Sequence, residues 1–298
     1  MTHEGVISFQ FCSEESAAVN IGEFSFKAAE PYCSSNSSYC QCAVISCRPK
    51  NEGRAVLWNC LATGTIALEN VERGALAGFH FWNSTFNSRN KEHHCHYRKE
   101  NYLAACSITR NDSGKIPVLI AKSFCVDLSE LNNQLIADPS DAAKFEIEDQ
   151  ELWLSKKKLS AQSPFFDVLF NADFKEKSEG EYKLDDVKLE EFLHFFGILY
   201  FLDMPVDKDS LEYLLKLSDM WQCEAVLQHC TEYLLKAYHL EVPLMNKLRL
   251  ADRFKLQEVL LNTVDTMSMN EARAMCENSE FSPFLRRLIL KKACLMEG

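Results

Sequence analysis

The chain has 298 residues, 47% of them hydrophobic and 25% charged, and a formal net charge of −11. That length suits two domains better than one, and the composition is that of a folded globular protein without bulk disorder. Residues 1–140 carry 12 Lys/Arg against 14 Asp/Glu, leaving 20 against 29, net −9, for residues 141–298, and an acidic half of this kind repels a phosphate backbone.

The longest basic run is Lys156-Lys157-Lys158, so nucleic acid is disfavoured as a partner and another protein is favoured. The opening residues lack a basic start followed by a long apolar core, and so do not read as a secretory signal. The most apolar stretch, Phe192 to Leu202, contains His194 and falls short of the ~20 residues that a membrane helix needs. The expectation is a soluble chain of the cytoplasm or nucleus, without a membrane partner. Nine of the 13 cysteines precede residue 140, an odd number that argues for reduced thiols over a disulfide framework. The sequons at Asn36, Asn83 and Asn111 then carry no glycan.

Residues 1–137 are rich in Ser, Asn and Cys and contain short alternating stretches. Cys40, Cys42 and Val44 project to one side of a strand by their two-residue spacing, and Leu57 to Ala62 continues the extended pattern. Further strand-like runs at Thr65–Leu68, Phe79–Trp82, Tyr102–Thr109 and Val118–Leu128 are separated by Asn, Gly, Ser and Pro clusters, which predicts an antiparallel sandwich. Gly64, Gly74 and Gly78 read as turn glycines. In the aromatic group Phe79, Phe81, Trp82 and Phe86, alternate positions face a core; Trp82 and Phe86, wherever exposed, are the first candidates to hold a bound protein.

The pattern breaks at Leu135-Ile136-Ala137-Asp138-Pro139-Ser140, since proline disfavours helix before it and cannot donate to a sheet. Beyond it, Phe145-Glu146-Ile147 and Leu152-Trp153-Leu154 form a hairpin pattern around Glu148-Asp149-Gln150, and Ser163-Pro164 starts a helix with serine as cap and proline in the first turn. Leu189, Phe192, Phe196 and Leu199 share one helical face. A second helix carries Leu211, Leu214, Leu215 and Ser218, and a third runs from Gln222 to about Lys236 with Val226, Cys230, Tyr233 and Leu234 inward. From Val242 onward the pattern is helical throughout: Leu244, Leu248 and Ala251, then Val259, Leu260 and Val264, then Phe284, Leu285, Leu288 and Ile289.

Residues 141–238 resemble a BTB/POZ domain through motifs that run in order along the segment. They are Phe145-Glu146-Ile147, Leu159 through Ser163-Pro164-Phe165-Phe166, Leu169-Phe170-Asn171, Phe174-Lys175-Glu176, Leu184-Asp185-Asp186-Val187, Ile198-Leu199-Tyr200, Leu214 through Ser218-Asp219 and Cys230 through Leu234. One departure is Ser155, where the family commonly has histidine. The resemblance implies a small sheet capped by helical hairpins, a homodimer, and recruitment to cullin-3 ubiquitin ligases through a hydrophobic-x-Glu element after the Ser-Pro-Phe helix. Phe174 and Glu176 fill that element. Phe174 either anchors in a cullin pocket, worth ~2 kcal/mol by area, or folds back on its own domain. Helices after residue 240 resemble the short extension that follows BTB domains, either widening the cullin contact or acting as a stabilising lid. Leu57 to Ala62, Ile66 to Asn70, and Tyr102-Leu103 through Ser113-Gly114-Lys115-Ile116 to the closing strand Ile120–Leu128 resemble the MATH domain, a TRAF-like sandwich that holds substrates.

Rival chemistries find little support in the residues. Cys33, Cys40, Cys42 and Cys47, with His93-His94-Cys95-His96, supply zinc-ligand types, but not the two-to-four-residue knuckle spacing. There is no glycine-rich phosphate loop, nucleophile elbow or paired-carboxylate signature, so neither catalysis nor a cofactor is expected. The reading is an α+β chain with three parts: a MATH-like β-sandwich at 1–137, a mostly helical BTB/POZ domain at 141–238 and a helical extension at 240–298. Its function would be that of a non-catalytic cullin-3 adaptor. The alternative is a BTB homo-oligomeric scaffold without a ligase.

Overall fold

The computed structural model describes residues 3–10, 15–29, 39–70, 75–98, 113–172, 180–238, 240–276 and 278–294. The chain packs as two compact units, Met1–Ser155 with Gly180–Met204, and Lys156–Glu179 with Pro205–Gly298.

Two antiparallel sheets make up most of the first unit. One has strand order β1 (His3–Gln10), β8 (Ser113–Asp127), β5 (Val56–Asn70), β6 (Ala75–Asn87); the other has β2 (Val19–Ile21), β3 (Phe24–Ala29), β4 (Tyr39–Pro49), β7 (Glu92–Arg98). Both sheets bury alternate residues against one shared core, as the period of a strand dictates. Phe24, Phe26 and Ala28 enter it from β3, Trp58, Cys60 and Ala62 from β5, and Ile116, Val118 and Ile120 from β8. Rings interlock across the gap, Phe24 lying 5.9 Å from Trp58 and Phe26 edge-on to Phe86 at 6.0 Å. The expected sandwich is therefore present. Its strands at Leu57–Ala62 and Thr65–Leu68 prove to be one strand, β5, which runs straight through Gly64.

Gly64 is thus a strand residue and not a turn glycine. A Cβ there would lie 2.1 Å from the Pro117 carbonyl oxygen of the neighbouring strand, so only glycine permits this approach. Gly78 also sits within a strand, paired with Leu68 beside a bulge. Gly74 and the run Tyr102–Thr109 lie outside the described residues.

The same unit continues through a packed connection. Asp138 caps a short 3-10 turn, Pro139–Asp141, by accepting from the Ser140 amide, and Asn133 donates to the Trp153 carbonyl at 3.0 Å. Strands β9 (Ala142–Ile147) and β10 (Gln150–Ser155) form the expected hairpin, and β11 (Glu181–Lys183) joins β9 in parallel. The two-residue turn has Glu148 at φ 47° and Asp149 at φ 62°, the positive pair that matches the twist of a tight hairpin. Phe145 stacks on Tyr182 at 5.3 Å and meets Phe192 at 6.3 Å. Phe192 belongs to α3 (Leu189–Leu199), in which all but Glu190 and Glu191 are buried. This helix is buried on nearly every side, so its sequence reads as a continuous apolar run rather than a stripe. Asn59 of β5 donates to the Leu202 carbonyl at 2.5 Å just after it.

The second unit is helical: α1 (Lys156–Gln162), α2 (Pro164–Asn171), α4 (Leu211–Met220), α5 (Glu224–Lys236), α6 (Leu244–Arg253), α7 (Gln257–Thr266), α8 (Met269–Met275) and α9 (Pro283–Cys294). Ser163 caps α2 by accepting from the Phe166 amide at 3.2 Å, and its hydroxyl donates to the Trp221 carbonyl. Phe166 then packs on Trp221 at 5.5 Å. The predicted inward faces are buried at Leu211, Leu214, Leu215 and Ser218 of α4 and at Val226, Cys230 and Leu234 of α5, while Tyr233 is only half-buried. A capping box between Ser268 and Glu271 starts α8. Leu285 and Ile289 seat α9, whose Phe284 is exposed. Among the described residues no helix is long and apolar enough to cross a membrane.

Candidate partner-binding site

Phe174 and Glu176 lie outside the described residues. What bounds their segment is described. Before it, α2 closes with Ala172 donating to the Val168 carbonyl at 2.9 Å; after it, Gly180 turns at φ 70° into β11. Helix α2 buries Phe166 and Phe170, which stack at 6.0 Å, while Val168 is exposed and Phe165 and Leu169 are half-buried. Of the Ser-Pro-Phe-Phe aromatics only Phe166 is a full core residue.

At the position where the BTB pattern commonly has histidine, Ser155 donates to Asp141 Oδ2 at 2.5 Å, with both residues buried. Nearby, burial first and the Asp141 charge second push the Tyr200 phenol above the usual tyrosine range. A buried carboxylate held by a short hydroxyl bond is well solvated by the protein, which gives this departure from the pattern a structural role.

On the N-terminal sandwich, Trp82 and Phe86 are core residues, 3% and 0% exposed, and not partner-facing anchors. Along β6, even-numbered positions from 82 turn inward: Trp82 packs edge-on to Phe86 at 6.3 Å and against His93 at 5.7 Å. Phe81 and Asn83 turn outward, and Phe81 is an exposed aromatic, at 73%. Phe81 lines a surface depression of about 470 Å³ with Val6, Gly64, Thr65, Pro117 and Leu119, spanning all four strands of one sheet. Val6 and Leu119 are themselves exposed large apolar residues. Phe81 stood in the same aromatic run as Trp82, and only the pairing of Thr65 with Phe81 across the sheet fixes which parity faces out.

Among the described residues the metal-ligand types do not gather. Cys47 and Cys95 are buried, His93 is half-buried against Trp82, and His94 faces out toward Glu92 at 3.6 Å. Cys33 lies outside the described residues, and of Cys40, Cys42 and His96 only the backbone is described. Among the described residues no group of three or more His, Cys, Asp or Glu side chains could hold a metal ion.

Residues 133–238 match the family model of the BTB/POZ domain. BTB and MATH domain-containing protein 38 of Caenorhabditis elegans is 31% identical over 134 residues, 44% of this chain and 34% of that protein. BTB and MATH domain-containing protein 36 of the same organism is 29% identical over 123 residues, 40% of this chain and 38% of that protein. Kelch repeat and BTB domain-containing protein 4 of Mus musculus is 28% identical over 138 residues, 46% of this chain and 24% of that protein. The matched segment thus spans at most 38% of the length of these relatives. Residues 133–238 are a BTB/POZ domain, set behind an antiparallel β-sandwich in a chain related to the BTB and MATH domain-containing proteins.

Proposed function

We propose that this chain is a non-catalytic, substrate-specific adaptor of a cullin-3 ubiquitin ligase, acting as a homodimer in the cytoplasm or nucleus. The BTB/POZ domain carries the reading, together with its relation to proteins that join BTB to MATH or Kelch modules. In this account Phe174 and Glu176, in the segment after α2, dock the cullin: Phe174 fills an apolar pocket and Glu176 orients the contact by hydrogen bonding. The target protein is held on the sandwich face around Phe81, Val6 and Leu119, where an extended segment with a bulky apolar side chain would cover the depression. Two copies per dimer raise the local concentration of target around the ligase without any new contact.

Calorimetry of the full chain with the cullin-3 N-terminal domain tests the reading. The parent binds, while Phe174→Ala and Glu176→Arg, each checked as a folded dimer, lose affinity by about thirtyfold or more, the equivalent of ~2 kcal/mol. No binding by the parent would leave a BTB scaffold that serves no ligase.

A further inference from the structure

The helical extension carries a charge opposite to that of the chain around it. Residues 244–294 hold 9 Lys/Arg against 6 Asp/Glu, net +3, and the remaining residues hold 23 against 37, net −14. Between α7 and α9 lies a surface depression of about 530 Å³, lined by the apolar side chains of Leu261, Val264 and Leu288 and by Asp265, Lys291 and Lys292. Helix α7 buries Val259, Leu260, Thr263 and Val264, which leaves Leu261 on its outer side, 54% exposed. Along α9, Arg287 and Lys291 are one turn apart and both exposed. Like charges at that spacing repel, and neither is paired with a carboxylate among the described residues. Lys292 is engaged: its Nζ donates to the Asp265 carbonyl at 2.6 Å, a cation set against the negative end of α7.

We propose that this depression docks an acidic amphipathic helix of a partner protein. The aliphatic ridge of that helix covers Leu261, Val264 and Leu288, and a carboxylate beside the ridge pairs with Lys291 and relieves its repulsion with Arg287. The backbone groups of α7 and α9 are taken up within their own helices, so the depression offers no edge to an extended segment, which would bury its own N–H and C=O groups unpaired. A helix satisfies those groups internally and presents its side chains to the groove. Asp265, exposed on the α7 side, sets the orientation. It repels a second carboxylate, so the acidic flank of the partner faces α9 and a neutral or basic flank faces α7.

Fluorescence anisotropy of the full chain tests this with a fluorescein-labelled helical peptide of about 18 residues, its leucines at i, i+3, i+4 and i+7 and its glutamates along one flank. The peptide is expected to bind saturably. Exchanging its glutamates for lysines, or making Leu261→Ser or Lys291→Glu in the chain, is expected to weaken binding about tenfold or more. Raising salt from about 50 to about 300 mM is expected to weaken it several-fold. Both substitutions lie at exposed positions, so an unchanged thermal midpoint verifies that each variant is folded. Absence of binding, equal binding of the lysine peptide, or indifference to both substitutions overturns the proposal. So does displacement of the peptide by the cullin-3 N-terminal domain, which assigns the face to the cullin contact. A light-scattering mass that falls in Leu261→Ser overturns it as well, because the face then belongs to a second copy of the chain.

Discussion

Replacing Phe86 and Phe81 by alanine, one at a time, separates the core of the sandwich from its outer face. Phe86 is wholly buried, edge-on to Phe26 of the opposite sheet and to Trp82 of its own strand, so Phe86→Ala leaves a cavity at the junction of the two sheets. Truncations of this kind cost about 3–5 kcal/mol. Phe81 is exposed and loses little packing, so Phe81→Ala costs about 0.5 kcal/mol or less. With a urea dependence of roughly 1–3 kcal/mol per molar, the first change lowers the unfolding midpoint by on the order of 1–5 M and the second by about 0.5 M at most. Tryptophan fluorescence in urea reads both, because Trp58 and Trp82 lie in that same core. Target capture orders the variants the other way, with Phe81→Ala the damaging one. Equal midpoint shifts would refute the inward and outward assignment along β6.

Ser163→Ala removes the cap of α2 and the bond to the Trp221 carbonyl together; a loss of about 1–3 kcal/mol, measured by thermal unfolding, is expected. Gly64→Ala forces a methyl against the Pro117 carbonyl and is expected to cost at least about 2 kcal/mol, whereas the same change at an open surface glycine would not. Asp149→Gly relaxes a positive-φ position of the tight hairpin, and is expected to raise the midpoint by the equivalent of about 0.5–1 kcal/mol. Asp127 supplies a pH dependence: desolvation raises its carboxyl, but hydrogen bonds from Ser129 and Asn51 outweigh this and hold it below the usual range. A depressed folded-state value stabilises above the unfolded pKa of ~3.9 and is lost as pH falls through the folded value. Asp127→Asn therefore flattens the acid limb of a stability profile between about pH 5 and 3, and an unchanged limb would count against those bonds.

The helical half was legible because its signals are local. Ser163-Pro164 states a cap and a first turn in adjacent residues, and the spacing of Leu211, Leu214, Leu215 and Ser218 states a buried face. The hairpin at β9 and β10 was legible from its alternation, although its turn lacks the usual Asn-Gly; Glu148 and Asp149 adopt positive φ under the pull of the flanking strands, and Glu148 also accepts from the Leu189 amide at 3.1 Å. The sandwich was harder to read because its rules are non-local. Nothing near Gly64 in the chain reveals that Pro117 crosses beside it, so a glycine required by strand approach looks like a turn. The side of β6 that faces out depends on register with β5, and a slip of one residue exchanges Trp82 and Phe86 for Phe81. The grouping of β9–β11 and α3 with the sandwich likewise rests on contacts such as Asn59 with Leu202, far apart in sequence.

Light scattering of the full chain, alone and mixed with the cullin-3 N-terminal domain, tests the adaptor account most directly. The account predicts twice the 34.1 kDa chain mass when alone, and a complex with two copies of each partner when mixed. A single-chain mass, or a dimer that leaves the cullin domain unbound, would contradict it.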